Sequence, residues 1–236
     1  QLYGRIGIDA GTRLLVRASA SASLYRDARF NDTALAFEAG PEFAIGADRL
    51  SIAAGPSWRW YGNHPYSLSY GATADWLHPM GKRSQLRLQA GVSRVDNRLN
   101  DLQDGRNYSF AAGVDRAFSA RFGGGVQLQG ARTSAADPGY SDASGGISGY
   151  LFRELGRTTA VISVAYRRLE ADARLFLYPE RRSENFVSAS IGGTFRALRL
   201  GTLAPYFRVR AERNTSTVEI YAYQRLAGEF GLTAAF

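Results

Sequence analysis

The chain has 236 residues and no cysteine, which excludes disulfide bonds, thiolate metal ligands and thiol nucleophiles. Its formal net charge of +8 comes almost wholly from arginine, since Lys82 is the only lysine. These arginines recur singly instead of forming a basic stripe, so the pattern predicts no nucleic-acid binding, and no apolar run reaches the roughly 20 residues of a transmembrane helix.

Alternation of apolar and polar residues starts near the first residue and recurs to the last. Val16 and Ala18, for example, alternate with Arg17 and Ser19, which is the two-residue period of a strand with one apolar face. Helical periodicity is absent and no linker divides the chain, so the sequence predicts a single all-β domain over 1–236. The predicted strands are 1–10, 13–25, 31–46, 49–61, 66–78, 83–96, 105–118, 121–133, 140–154, 158–169, 184–197, 203–213 and 218–236.

Short and long connections between these segments alternate along the chain. Short ones are predicted at 11–12, 46–48, 79–82, 119–120, 155–157 and 197–201, and longer polar ones at 26–30, 62–65, 97–105, 134–139, 170–183 and 213–217. Short and long connections therefore lie at opposite ends of the strands. This alternation is typical of an up-and-down antiparallel meander.

The predicted strands are about 11 to 16 residues long, whereas strands of soluble domains are typically about 5 to 6. Filling the lumen of so many strands with apolar side chains is not geometrically possible, since about eight strands already enclose a full interior. The apolar face is therefore predicted to face lipid, in a transmembrane up-and-down antiparallel β-barrel of the bacterial outer membrane. Rings at strand ends, such as Trp58, Trp60 and Trp76, fit interfacial girdles, although cross-strand aromatic pairs would give a similar pattern.

The last stretch, GEFGLTAAF (228–236), predicts the closing strand, with Phe236 as its terminal aromatic residue. A terminal aromatic after alternating apolar residues resembles the signal read by the barrel-assembly machinery of Gram-negative bacteria. Thirteen strands is an odd number, while bacterial single-chain barrels have even counts. We therefore expect fourteen strands in the intact protein, with one strand upstream of Gln1.

Two groups of residues are candidates for function. Alternation places six charged residues in the lumen, namely Arg87, Arg208, Arg210, Glu212, Arg225 and Glu229. The longest loop, 170–183, contains an apolar cluster with arginines beside it, namely Arg174, Leu175, Phe176, Leu177, Tyr178, Arg181 and Arg182. This cluster could plug the barrel mouth, lie against lipopolysaccharide, receive a client, or simply extend its two strands as a hairpin.

The last third of the chain, FLYPERRSENFVSASIGGTF (176–195) followed by 203–236, resembles the carboxy-terminal barrel of the surface lipoprotein assembly modifier family. The matching features are a basic loop at Arg181-Arg182, Pro205, the turn at 214–217, the Tyr221-Ala222-Tyr223 motif and the final Phe236. Looser similarity covers 24–43. The resemblance implies a role in moving lipoproteins or related secreted proteins to the cell surface. Members of that family carry a periplasmic helical-repeat domain before the barrel, and no part of these 236 residues resembles it.

Three functions remain open from the sequence. The first is assistance to lipoprotein translocation or surface display, with outer-membrane lipids, lipopolysaccharide, the barrel-assembly machinery and client lipoproteins as partners of a monomer. The second is a passive porin-like channel whose arginines favour anions. The third, an outer-membrane enzyme, lacks a clustered nucleophile and base, and His64 and His78 are predicted to be loop residues. We therefore predict no enzyme activity and no catalytic, cofactor-binding or metal-binding residues.

Overall fold

A computed structural model describes residues 2–9, 11–198, 201 and 203–234, and in it the chain forms one antiparallel sheet in which each strand pairs with its neighbours in sequence. The strands are β1 (Leu2–Gly7), β2 (Thr12–Ser23), β3 (Asp32–Ile45), β4 (Asp48–Tyr61), β5 (His64–Pro79), β6 (Ser84–Asn97), β7 (Gly105–Ser119), β8 (Phe122–Ala135), β9 (Asp142–Leu155), β10 (Thr158–Ala171), β11 (Ser183–Phe195), β12 (Leu203–Ser216) and β13 (Tyr223–Ala234). The all-β fold and all thirteen predicted strands are confirmed. Within the described residues no ladder joins β1 to β13.

The final strand begins later than predicted. It was expected to begin at 218, but a 3₁₀ turn at Glu219–Tyr221 precedes it and β13 starts at Tyr223. Asn214 favours this turn, because its side-chain amide donates a hydrogen bond to the carbonyl oxygen of Tyr221 at 2.7 Å. The predicted closing residue, Phe236, lies outside the described residues.

The connections alternate between two ends of the sheet, which we call the short-turn end and the long-loop end. Gly46 and Gly156 allow tight turns at the short-turn end with φ of 63° and 64°, a conformation that costs glycine little. One prediction is wrong, since the connection expected as a longer loop at 62–65 is a two-residue turn. Gly62 and Asn63 both have positive φ, 59° and 65°, as in the type I′ turns that match the twist of a hairpin.

The long-loop end is ordered by short 3₁₀ turns with a shared capping device. The side chains of Asp27, Asn100 and Asp137 each accept a hydrogen bond from the backbone N–H two residues later, which favours a local turn over an extended chain. Each turn has three residues. No helix among the described residues is long and apolar enough to cross a membrane.

Burial in this sheet is inverted relative to a water-soluble domain. Large apolar side chains such as Leu226, which is 77% exposed, cover one face. Several of the most buried side chains are instead polar or charged, including Glu42, Glu184 and Glu212, and Glu42 is only 4% exposed. A large contiguous exposed apolar surface marks contact with a membrane or another protein.

The polar face is the concave one. Arg17 on β2 forms an ion pair of 2.9 Å with Asp75 on β5, although two strands separate β2 from β5 and would hold them about 14 Å apart in a flat sheet. These two side chains meet only because the sheet bends toward them. The opposite, apolar face is therefore convex.

A small apolar core lies on the concave face near the short-turn end of β2 to β5. Leu15 is fully buried and stands opposite Gly40 in the ladder. A Cβ on Gly40 would lie 2.8 Å from the Cα of Ala53, so only glycine permits this close approach. This packing fixes the sheet beneath the ion pairs described next.

Candidate functional site

Ion pairs cover the concave face over β1 to β5. Arg5 contacts the buried carboxylate of Glu42 at 3.0 Å, and Arg17 contacts Glu38 at 3.7 Å in addition to Asp75. Alternation in the strands places all of these side chains on the same face. The pairs neutralise charges that the curved sheet brings together.

A second group of polar contacts spans β6 to β9 around Asp115. Its carboxylate lies 3.5 Å from the Arg87 guanidinium and accepts hydrogen bonds from Gln85 at 2.9 Å and from the Tyr150 hydroxyl at 2.7 Å. Tyr150 reaches it across β8, which again requires a concave polar face. Arg87, one of the six candidate lumen charges, therefore lies in a crowded polar cluster.

The other five candidate lumen charges lie together on β12 and β13. The ladder sets Arg208 opposite Glu229 and Glu212 opposite Arg225. Glu212 is almost fully buried and contacts Arg225 at 2.7 Å and Arg210 at 3.5 Å, while Arg208 lies 3.5 Å from Glu229. The strand period of two accounts for this arrangement, because 208, 210 and 212 share one face.

The candidate loop leaves the strand ladder at Ala171 and rejoins it at Ser183, so residues 172–182 do not extend the strands as a hairpin. We call these residues the 172–182 loop. Its two ends are tied to neighbouring loops, since the Asp172 N–H donates to the Ser141 carbonyl oxygen at 2.9 Å and the Thr217 hydroxyl donates to the Arg181 carbonyl oxygen at 2.7 Å. Three loops are thus joined into one unit at the long-loop end.

Arg182 anchors the returning end of this loop. Its guanidinium lies 3.0 Å from Asp142 and 3.6 Å from Glu184, and its Cζ is 4.8 Å from the centre of the Tyr221 ring. Asn214 also donates a hydrogen bond to Glu184, at 3.2 Å. Alternation in the sequence does not predict these partners of Arg182. The signal that could identify them is a carboxylate that starts a strand after a long loop, as Asp142 and Glu184 do.

The leading end is held by Arg132 on β8, which forms a two-pronged ion pair with Asp172. This guanidinium holds the pKa of the Asp172 carboxyl below its ordinary value, through hydrogen bonding first. Both groups remain partly solvated, so the pair orders the loop more than it stabilises the fold.

The tip of the 172–182 loop is apolar and faces outward. The Tyr178 N–H donates to the Leu175 carbonyl oxygen at 3.0 Å, which closes a turn. Leu175 and Tyr178 are half-buried, whereas Phe176 and Leu177 at the centre of the turn are 96% and 82% exposed. Among the described residues, nothing packs over these two side chains. Arg174 and Arg181 are exposed nearby.

A model of the surface lipoprotein assembly modifier family matches residues 5–230. The chain belongs to the surface lipoprotein assembly modifier family. A search of curated proteins finds no match. The match covers every strand from β2 to β12 and the whole 172–182 loop of this surface lipoprotein assembly modifier.

Both histidines of this surface lipoprotein assembly modifier lie in β5 and not in loops, which corrects the prediction from their neighbouring prolines. His78 Nδ1 is 2.7 Å from Asp48, whose carboxylate also accepts a hydrogen bond from the Trp76 indole at 3.1 Å. These three side chains form a polar cluster at the short-turn end. In the described part of the chain, no group of three or more histidine, aspartate or glutamate side chains is arranged to hold a metal ion.

Proposed function

We propose that this member of the surface lipoprotein assembly modifier family is an outer-membrane β-barrel whose convex face meets lipid. Arg106 and Arg116 share the convex face of β7 with the apolar positions from Tyr108 to Val114 between them. Ten residues span about 34 Å along a strand, which becomes about 26 Å at a tilt of about 40°. That height agrees with the outward apolar band of about 25 Å in outer-membrane barrels.

Closure into a barrel is part of the same proposal. Because twelve antiparallel steps separate β1 from β13, these two strands run in the same direction. Antiparallel closure therefore takes one more strand, which supports fourteen strands in the intact protein, the even number that bacterial barrels have.

The barrel acts in the surface display of lipoproteins, with the 172–182 loop as the contact for the client. The observation that carries this assignment is the exposed pair Phe176 and Leu177 on a loop whose ends are anchored by ion pairs and hydrogen bonds. An anchored apolar tip loses little conformational entropy on binding. Aromatic residues, phenylalanine included, are enriched at protein interfaces relative to the rest of the surface.

The test replaces Phe176 and Leu177 together by serine, which removes the apolar tip but leaves the Leu175 to Tyr178 turn. Loss of a central aromatic contact costs about 2 kcal/mol or more, so we expect surface display of a co-expressed client lipoprotein to fall about tenfold or more. Display is measured by antibody labelling of whole cells. The matched control replaces Leu99 and Leu102 together by serine. These two residues are also exposed at the long-loop end, and their replacement should leave display unchanged.

Insertion is measured in parallel by the shift in gel mobility on heating, so that a folding defect is recognised. Normal display by the inserted Phe176→Ser, Leu177→Ser protein would remove the loop as a client contact.

The porin-like alternative receives less support from the same geometry. All six candidate lumen charges take part in ion pairs with partners on the concave face. A guanidinium with a carboxylate of its own, such as Arg208 with Glu229, contributes little to the attraction of a passing anion, because such a pair is nearly neutral at a distance. Arg210 and Arg225 share Glu212, so one positive charge remains in the group on β12 and β13. The arginine excess in the composition therefore does not by itself imply anion selectivity.

A further inference from the structure

A groove crosses the convex face over β7 to β10. Its volume is about 420 Å³, which falls in the range of about 300 to 1,000 Å³ found for small-molecule sites. The walls are apolar and consist mainly of Val114, Phe118, Val126, Leu151, Ile162 and Val164. Such a shape is absent from an even strand surface, so something in the sequence must create it.

The groove exists because two glycines replace side chains on its floor. A Cβ on Gly124 would overlap the carbonyl oxygen of Tyr150, so this glycine permits close approach of β8 and β9. Gly149 is different, since a Cβ there would meet its nearest atom, the Gly125 carbonyl oxygen, at an ordinary 3.5 Å. Space is thus left open above Gly149 that a larger side chain could fill without moving the backbone.

A positive charge stands at the short-turn end of the groove. Arg116 lines the groove and lies opposite Gly124 in the ladder. Arg153 lies on the same convex face, opposite Phe122 and one pleat nearer to the turns. Both side chains are exposed, and neither pairs with a carboxylate among the described residues. An apolar groove ending at guanidinium groups complements an acyl chain that ends at an anionic phosphate.

We propose that this groove binds one glycerophospholipid of the inner leaflet, with an acyl chain over Gly149 and its phosphate at Arg116. The inference rests on the proposed membrane location, in which the short-turn end faces the periplasm. The lipid anchor of a lipoprotein fits less well, because it has acyl chains but no phosphate. It would leave Arg116 without an anionic partner next to hydrocarbon, which is unfavourable.

The test measures retained phospholipid by native mass spectrometry after the protein is inserted into bilayers containing phosphatidylglycerol and extracted with mild detergent. Gly149→Leu fills the floor of the groove, and Arg116→Gln removes the charge while keeping most of the side chain. Gly145→Leu is the matched control, because Gly145 lies on the same face of β9, has equally open space and does not line the groove. We expect the fraction with one bound phosphatidylglycerol to fall about tenfold or more in each of the first two variants. Arg116→Gln removes the charge-assisted hydrogen bond to the phosphate, and Gly149→Leu occupies the space of the acyl chain. In the control this fraction should stay at the wild-type level.

Four results would overturn the proposal. Equal retention in all four proteins would mean that the bound lipid is not at the groove. Displacement of phosphatidylglycerol by a tripalmitoylated cysteinyl peptide, with peptide binding unaffected by Arg116→Gln, would assign the groove to the lipoprotein anchor. Heat-dependent gel mobility shows whether the wild-type protein has inserted. Inserted wild-type protein that retains no phosphatidylglycerol would refute the lipid site alone. Wild-type protein that fails to insert would refute the membrane location as well.

Discussion

At the scale of single residues, Glu212 carries the most buried charge on β12. Its side chain is 6% exposed and lies between Arg225 at 2.7 Å and Arg210 at 3.5 Å. Glu212→Gln removes the charge but keeps the shape, and it leaves two guanidiniums facing each other across a buried amide. Both arginines remain partly solvated, so we expect a loss of about 1 to 3 kcal/mol in the free energy of unfolding, measured by urea titration of the inserted protein.

Glu229→Gln provides the comparison for this prediction. Glu229 has a similar set of partners, Arg208 and Tyr206, but its side chain is about half exposed. Exposed ion pairs contribute about 0 to 1 kcal/mol, so this variant should be near wild type. If both variants lost the same free energy of unfolding, burial would not explain the contribution of Glu212 to stability.

At the scale of elements, we expect the 172–182 loop to become mobile in acid, because protonation of Asp172 breaks its ion pair with Arg132. Arg132 lowers the folded-state pKa of this carboxyl below its ordinary value of 3.8. The ion pair therefore anchors the loop fully above about pH 3.8 and is lost as the pH falls below that value through the folded-state pKa. Because the chain has no cysteine, Ala173→Cys accepts a single nitroxide label, and we expect its spectrum to become mobile on acidification.

Asp172→Asn in the labelled protein is the control for this transition. The amide cannot form the charged pair, so the label should be mobile at neutral pH and show little further change in acid. Glu170 and Asp142 are the nearby carboxylates that could act instead, through Arg181 and Arg182. An acid transition that persists unchanged in the Asn variant would assign the effect to them.

The elements also show which features of the fold can be predicted from sequence patterns. Strand existence and number follow from alternation, because each strand of a two-faced sheet must keep apolar and polar residues apart. The Gly62-Asn63 turn was missed because a Gly-Asn pair before His-Pro reads equally well as a longer polar loop. The Arg132 to Asp172 pair joins residues 40 positions apart, and such a contact depends on register and curvature that no local pattern encodes.

At the scale of the whole molecule, the two faces of one curved sheet have opposite chemistry. The concave face holds the ion pairs and the most buried carboxylates, while the convex face exposes aliphatic and aromatic side chains. A barrel in water would require the reverse, with apolar side chains inside. The sequence predicted this separation correctly from period-two alternation, but it did not predict the groove, because glycine positions alone do not reveal open space.

Cysteine accessibility along β8 tests the orientation of the entire sheet. Val126, Gln127, Leu128 and Gln129 alternate between the convex and concave faces of one strand, and each can be replaced singly by cysteine in a chain that has none. A thiol reacts as the thiolate, which apolar surroundings suppress. For protein inserted in vesicles, we expect a charged methanethiosulfonate reagent to modify Gln127→Cys and Gln129→Cys and to spare Val126→Cys and Leu128→Cys, with all four reacting after denaturation. The reverse alternation would show that the apolar face lines the interior and would refute the membrane barrel, whereas equal reactivity at all four positions would show that neither face is in lipid.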